Sequence, residues 1–394
     1  MQGTWLGGLV DNVILGINAS RARSGGARAH LIGILNDGNP IQYGFREVHV
    51  WSHAALLEAL PDKSWLVKHA PSELEGSISK QVWWERFSFS KELREMDCSV
   101  LLNVDAGTVS RFRPAVTMSR DMLSYEAGEI ERFGFSKARV RLVLLRYMQN
   151  MSLKEAVGAI FLSRYASNVI QKSCGKLKRI TFIPHGIGAD FKNTYVKHPW
   201  PENGSRPIQC LYVSNVAPYK HQWHVVRAIA ILRSKGFDLQ LAMTGGGSAG
   251  SASKAQEILD AEIKASDPER VFTCQLGFVP QQALPQILAS ADLFVFASSC
   301  ENMPNTLMEA MAVGLPIACS NRGPMPEVLQ DGGVYFDPEN ATAIAEAIKK
   351  IITNSELRSA IAARAKQLSG QYSWTRCANE TFAFLSESAQ TTRR

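Results

Sequence analysis

Apolar and polar positions along this chain fall into short hydrophobic runs separated by longer stretches of mixed pattern. The runs at 13–20 (VILGINAS), 47–51 (EVHVW), 64–69 (SWLVKH), 98–105 (CSVLLNVD) and 114–119 (PAVTMS) have strand length and a β-branched and aromatic bias. Segments between them, such as 53–60 (HAALLEAL), carry helical spacing. Strands alternating with helices predict parallel βαβ units. Residues 136–149 (SKARVRLVLLRYMQ) read as an amphipathic helix with a Val140, Leu144, Tyr147 stripe and the basic Lys137, Arg139, Arg141 and Arg146. The expected place of that stripe is a domain core, the alternative being an anionic membrane surface. Residues 159–170 and 179–191 read as strand-rich, the second ending in the turn Pro184-His185-Gly186. The polar, proline-bearing stretch 193–207 predicts a linker.

The pattern resumes with a strand at 210–214, a loop containing Lys220 and an amphipathic helix. An apolar run at 293–298 (LFVFAS) then feeds the stretch around which the chain is organised, 298–318 (SSCENMPNTLMEAMAVGLPIA). Its pattern predicts a strand end, a polar loop with Glu301 and Pro304, and a helix capped by Asn305 or Thr306 that stops at Gly314-Leu315-Pro316. A helix start offers unpaired N–H groups and the positive dipole end, which suit a phosphate. Glu301 at the loop mouth and Glu309 in the first turns can accept hydrogen bonds from vicinal hydroxyls. Phosphate flanked by polyols describes a nucleotide sugar.

The spacing Glu301-x7-Glu309, followed by the Ala-Met-Ala-x-Gly-x-Pro run of 310–316, closely resembles the donor-binding signature of family 4 glycosyltransferases. That resemblance implies the GT-B fold, an α/β architecture of two Rossmann-like, doubly wound domains facing a central cleft. Its expected boundaries are an acceptor domain at 1–192, completed by a C-terminal helix at 374–388, a linker at 193–207 and a donor domain at 208–373. It also implies transfer of a sugar from a nucleoside-diphosphate sugar to an acceptor hydroxyl, with retention at the anomeric carbon. Lys220 falls on a phosphate-binding lysine of the family, and Asn215 stands where an arginine is usual. Asn302, Met303, Pro304, Asn305 and Thr306 form the loop and helix start beneath the donor, and Gly277, Phe278 and Val279 the base-pocket loop. In the acceptor half, Gly25 and Gly26 sit in a glycine-containing loop among Arg21, Arg23 and Arg28, and Arg120 and Asp121 stand as acceptor contacts. The resemblance is strong over 159–385 and loose over 1–158. On this reading Glu301 and Lys220 are the catalytic pair, with no cofactor beyond the donor and no metal; no Asp-x-Asp occurs to hold one.

Composition narrows the setting. A chain of 394 residues is long enough for two cores. No uncharged apolar run reaches membrane-spanning length, and the first residues lack the basic and apolar regions of a signal peptide. Seven scattered cysteines without C-x-x-C fit a reducing cytosol. The net charge of +7 is uneven: residues 1–200 hold 26 Lys+Arg against 18 Asp+Glu. No nucleic-acid motif accompanies this basic half, so the expected partners are the nucleotide sugar and a carbohydrate or lipid-linked acceptor, with peripheral contact to an anionic membrane as an option. The expected location is cytoplasmic, with the inner face of the plasma membrane as that contact. The sequence also resembles bacterial polysaccharide-biosynthesis members of the family, which suggests cell-surface polysaccharide or glycolipid synthesis.

Three rivals stand beside this reading. Gly245, Gly247 and Gly250 spell G-x-G-x-x-G after a strand, the fingerprint of an NAD-dependent oxidoreductase, although the next strand ends without the acidic residue a ribose needs. The others are a GT-B sugar-nucleotide epimerase and a non-enzymatic sugar-binding module.

Overall fold

In the computed structural model the described residues are 13–23, 25–201, 204–246 and 251–391, with only the backbone described at 251–253. Gly247 and Gly250 of the glycine fingerprint lie outside them. The strands of the first sheet are β1 (Val13–Asn18), β2 (Phe45–Trp51), β3 (Leu66–His69), β4 (Val100–Asn103), β5 (Ala115–Ser119), β6 (Gly158–Phe161) and β7 (Ile180–Phe182). Those of the second are β8 (Ile208–Val213), β9 (Leu239–Thr244), β10 (Thr273–Gly277), β11 (Leu293–Phe296), β12 (Ile317–Ser320) and β13 (Val334–Phe336). The helices among the first set are α1 (Gly25–Asp37), α2 (Ala54–Leu57), α3 (Ile78–Phe87), α4 (Phe89–Glu95), α5 (Lys137–Glu155) and α6 (Arg164–Cys174). After β7 come α7 (Ala189–Lys192), α8 (Gln222–Ser234), α9 (Ser251–Ser266), α10 (Leu284–Ala289), α11 (Asn305–Val313), α12 (Met325–Leu329), α13 (Ala341–Thr353), α14 (Ser355–Ser369) and α15 (Trp374–Thr391).

The chain divides into two compact units. The first holds the residues up to Tyr125, then Val140–Gly186 and the residues from Tyr372 on; the second holds Glu126–Arg139 and Ile187–Gln371. The sheet orders are β3-β2-β1-β4-β5-β6-β7 and β10-β9-β8-β11-β12-β13, and the strand pairs are parallel. Each order reverses direction once, between β1 and β4 in the first unit and between β8 and β11 in the second. A doubly wound sheet binds its ligand outside the strand ends at such a switch point.

The strands form because helices cover both faces of a parallel sheet, which selects continuous apolar runs. All six residues of β1 and all four of β4, β6 and β11 are buried. In the first unit Trp51, Trp84, Phe89 and Leu93 form part of one core. Glu92 accepts both indole N–H groups, from Trp51 at 2.9 Å and Trp84 at 2.6 Å, so two large rings are buried without an orphaned donor. Helix α15 packs on α1 in this unit, and a Cβ at Gly33 would come within 2.3 Å of the Trp374 ring.

Several local expectations are corrected. Residues 164–170 are helix α6: Ser163 caps it by accepting from the Ala166 N–H, and Ala166, Ile170 and Cys174 recur at a spacing of four on its buried face. Helical periodicity overrides the β-branched residues there. Helix α9 begins at Ser251, and α15 continues to Thr391, beyond the 374–388 expected for the C-terminal helix. The α5 stripe faces outward, with Val140, Leu144 and Tyr147 about 60 % exposed, because Gln149, Ser152 and Leu153 form the buried face. Of the aromatic residues at 83–89, Trp84 and Phe89 are buried while Trp83 and Phe87 are exposed.

Candidate active site

The second unit's switch point gathers the loops after β8 and β11. After β8 the chain turns through Asn215 to Lys220, and His221 takes a left-handed conformation (φ 51°) before α8 starts. After β11 come Ser298, Ser299, Cys300 and Glu301. The two loops are stitched together where the Ser299 N–H donates to the Tyr219 carbonyl at 2.8 Å.

Lys220 and Glu301 form an ion pair through Nζ and Oε1, with side-chain exposures of 12 % and 15 %. Burial alone would lower the lysine's pKa, but the Glu301 carboxylate outweighs it and the ammonium is held above its ordinary range. The Nζ also lies 5.6 Å from the Phe296 ring centre and 5.2 Å from that of Tyr219. A cation is therefore fixed at the mouth of the switch point by a carboxylate and two aromatic rings.

The next polypeptide turn is the loop of Asn302, Met303 and Pro304, all buried, leading into α11. Pro304, not Asn305 or Thr306, occupies the cap position, and no side chain caps the helix. Proline carries no N–H and its ring fixes φ, so the helix can start directly behind it. Asn305 and Thr306 are its first two residues; the Asn305 N–H donates to the Met303 carbonyl at 3.1 Å, and the Met308 N–H closes the first turn on the Pro304 carbonyl at 3.1 Å. All residues from Leu307 to Val313 are buried, Glu309 among them.

Glu309 is 9 % exposed and accepts one hydrogen bond, from Gln281 Nε2 at 2.9 Å. Burial pushes its carboxyl up to about 7, only partly offset by the Gln281 bond. Gln281 follows the loop after β10, where Gly277 has φ 67°, Phe278 is 81 % exposed and Val279 is half-buried. Asn215 is exposed, its carbonyl accepting from Gln222 Nε2. Glu327, on α12, is exposed.

A buttress behind these loops had no sequence signal. Ser299 Oγ donates to Glu129 Oε1 at 2.5 Å and lies 2.9 Å from His221 Nε2. Glu129 is 2 % exposed and also pairs with Arg132, which reaches Glu339. Burial, with the Arg132 cation adding to it, lowers the His221 pKa to about 3, so the ring is neutral and can donate to Ser299 from Nε2. Segment 126–139 thus braces the loops that carry Lys220 and Glu301, from 170 residues away along the chain.

Gly245 sits between these loops. It has φ 91°, and a Cβ there would come 2.3 Å from the Ser214 carbonyl oxygen, so the position demands glycine for close strand approach. It follows β9, one strand removed from the switch point. A dinucleotide fingerprint belongs to the first βα turn, at the switch point itself.

The first unit has its own polar cluster at the ends of β1 and β4. Asn18 Nδ2 donates to Glu85 Oε1 at 2.7 Å and to Asn103 Oδ1 at 3.1 Å; Thr108 Oγ1 also donates to Glu85, and Arg21 pairs with it at 3.3 Å. Asn18, Ser20, Arg21, Glu85, Asp105 and Thr108 line a narrow recess. Arg120 lies beyond the end of β5 with Nε and Nη1 shut off from solvent and without a hydrogen-bond partner among the described residues. Burial draws its guanidinium down to about 10, against a raising effect of Asp105. Asp121 is committed locally: it accepts from the Leu123 N–H and Gln149 Nε2, and burial raises its pKa. Gly25 opens α1 with φ 59°, and Gly26 follows inside the helix. His185, in the Pro184-His185-Gly186 turn, is buried against His30 and Trp374, with ring centres 4.9 and 5.9 Å away.

Residues 197–368 match the family described as Glycosyl transferases group 1. Over 106 residues the chain is 36% identical to O-antigen chain mannosyltransferase B of Escherichia coli, a match spanning 27% of this chain and 28% of that protein. The chain thus spans less than a third of that relative's length. Among solved structures, sucrose-phosphate synthase from Thermosynechococcus elongatus superposes with a TM-score of 0.71 at 16% identity, covering 97% of this chain and 98% of the other. Anabaena Alr3699/HepE, solved in complex with UDP and glucose, gives 0.69 at 19% identity, covering 95% and 99%. The architecture derived from the two switch-point sheets is that of GT-B glycosyltransferase structures, and the match to the Glycosyl transferases group 1 family lies within the second unit.

Proposed function

We propose that this protein transfers a sugar from a nucleoside-diphosphate sugar to an acceptor hydroxyl, with retention at the anomeric carbon as in family 4 glycosyltransferases. The observation that carries the reading is the convergence, at the second unit's switch point, of a half-buried Lys220–Glu301 pair, the N-terminal end of α11 and the buried carboxyl of Glu309. Each element has a task in one substrate. The Lys220 ammonium and the positive dipole end of α11 meet the diphosphate, whose charge grows as it leaves. Glu309 accepts hydrogen bonds from the ribose diol, and the bound hydroxyls favour its ionised form. Glu301 holds sugar hydroxyls and supports the positive charge developing on the ring.

In this mechanism Glu301 is not a covalent nucleophile, and the departing phosphate takes the acceptor proton. The proposal needs no metal and no cofactor, because the leaving diphosphate is met by the lysine and the helix start. UDP is the first nucleotide to test, since Alr3699/HepE is solved with UDP. The acceptor is a carbohydrate or lipid-linked carbohydrate of a bacterial cell-surface polysaccharide or glycolipid, in keeping with the O-antigen relative, and the reaction takes place in the cytoplasm.

The test is a thermal-shift series with UDP-, GDP- and ADP-sugars against NADH, followed by product analysis with the stabilising donor. Stabilisation by one nucleotide-sugar class, with loss of the response in Glu309→Ala, supports the reading. A shift with NADH alone overturns it.

A further inference from the structure

Lys220 is gripped through its own backbone. Its N–H donates to the Ala217 carbonyl at 3.0 Å, and its carbonyl accepts from the Tyr212 hydroxyl at 2.5 Å. The residue after it, His221, holds a left-handed backbone (φ 51°, ψ 30°), which glycine adopts freely and a residue with a Cβ does not. That strain does not serve to cap α8, since the His221 side chain makes no capping hydrogen bond. The ring is 1 % exposed, and its Nδ1 has no partner among the described residues. Its Nε2 lies 2.9 Å from Ser299 Oγ, and the Ser299 hydroxyl in turn donates to Glu129. Trp223 and His224, with ring centres 5.6 Å from that of His221, ask only for bulk. Ser299 thereby ties down both neighbours of Lys220, the Tyr219 carbonyl through its N–H and the His221 ring through its hydroxyl. Glu301, the partner of Lys220, follows Ser299 closely in the same loop.

We propose that His221 is a positioning residue: its ring, anchored through Ser299 to Glu129, pins the loops after β8 and β11 in one register and so fixes where the Lys220 ammonium meets Glu301. Strained backbone persists where the surrounding structure over-determines it, and such positions cluster at functional sites. Glycine would relieve the strain here, but it would leave Ser299 Oγ without its donor and let the turn after Lys220 pivot. A lysine charge sits on a flexible stem, so it is placed only as well as its backbone and partners are held. A displacement of about 1 Å at such a group is enough to slow a reaction on the order of 100-fold. His221 meets no substrate in this scheme and acts through Lys220. Its effect on catalysis rests on the transferase reading, whereas its coupling to the Lys220–Glu301 pair does not.

The test compares His221→Gln, His221→Met and His221→Gly in the full chain. Glutamine and methionine share a shape and a backbone cost, and differ in the N–H that glutamine offers to Ser299. Turnover is read as nucleoside-diphosphate release from the nucleotide sugar that stabilises the wild type. His221→Met should lower kcat on the order of 10- to 100-fold and raise the donor KM less than about threefold, while His221→Gln stays within about threefold of wild type in both. His221→Gly, which suits the left-handed turn, should lose kcat as His221→Met does, and takes its place if that variant fails to fold. In a Lys220→Met background the His221→Met change should have no further effect on kcat. Without any ligand, the urea midpoint shifts of Lys220→Met and His221→Met should be non-additive in the double variant, because the ion pair weakens once its register is loosened. Equal kcat in His221→Gln and His221→Met overturns the proposal, as do additive urea midpoints. A wild type that turns over no nucleotide sugar sinks the transferase reading alone, and the urea series then decides the role of His221.

Discussion

Glu309→Gln should make the ligand-free protein more stable above neutral pH while weakening its hold on a nucleotide sugar. The carboxyl is raised from an ordinary 4.5 to about 7 because burial penalises its charge. Between these values the native state keeps a proton that the unfolded state has lost, so wild-type stability falls as pH rises through this window. Above neutrality the penalty reaches about 3 kcal/mol, from about 1.36 kcal/mol per pKa unit. Glutamine is close to isosteric, can still accept from Gln281 and never ionises. The variant should therefore match the wild type near pH ~4.5 and melt several degrees higher near pH ~8, since about 1 kcal/mol moves a melt by roughly 2–4 °C at this unit size. Binding runs the other way. A ribose diol donates to the ionised carboxylate, so wild-type affinity for a nucleoside-diphosphate sugar should rise with pH up to about 7 and then level off. In Glu309→Gln the profile should be flat and the plateau affinity about 10- to 100-fold lower, the loss of a charge-assisted hydrogen bond. Melting curves and equilibrium titrations across this range supply both readouts. A variant that melts in parallel with the wild type at every pH would show that Glu309 bears no buried-charge penalty and would refute the reasoning.

Other outcomes follow from the same geometry. Lys220→Met should lower kcat for sugar transfer on the order of 100- to 1,000-fold, the cost of one charge-stabilising donor; a variant within about threefold of wild type would remove Lys220 from the mechanism. Ser299→Ala takes a hydrogen bond from the Glu129 carboxylate, which is 2 % exposed, and should destabilise the protein by about 1.5–3 kcal/mol in chemical denaturation. An unchanged denaturation midpoint would mean that segment 126–139 does not brace the donor loops. Arg120→Met replaces a desolvated guanidinium whose Nε and Nη1 have no partner among the described residues, and should stabilise the ligand-free protein by about 1 kcal/mol or more while raising the acceptor KM. Destabilisation would show that Arg120 is needed by the fold itself.

The chain's own pattern determined the architecture and pointed to the candidate site. Apolar runs such as LFVFAS and VILGIN announce buried parallel strands because covering helices leave no polar face to encode. Glu301 and Glu309 were legible because loop, helix start and both carboxylates lie within one short stretch, where backbone geometry links neighbours. Tertiary structure decided what depends on elements distant in sequence. The pairing of Lys220 with Glu301 spans 81 residues, and the Glu129–Ser299 bond spans 170. Nothing in a sequence ranks one glutamate in a polar segment above another until folding removes it from water. The raised pKa of Glu309 has the same origin, since desolvation is set by what packs around the carboxyl and not by its neighbours in the chain. Helix α5 gives the reverse case. Its apolar spacing was visible, but spacing fixes only which side chains share a face; whether that face meets a core or solvent is settled by the sheet it packs against, which takes the side of Gln149 and Leu153 and leaves Leu144 and Tyr147 outside.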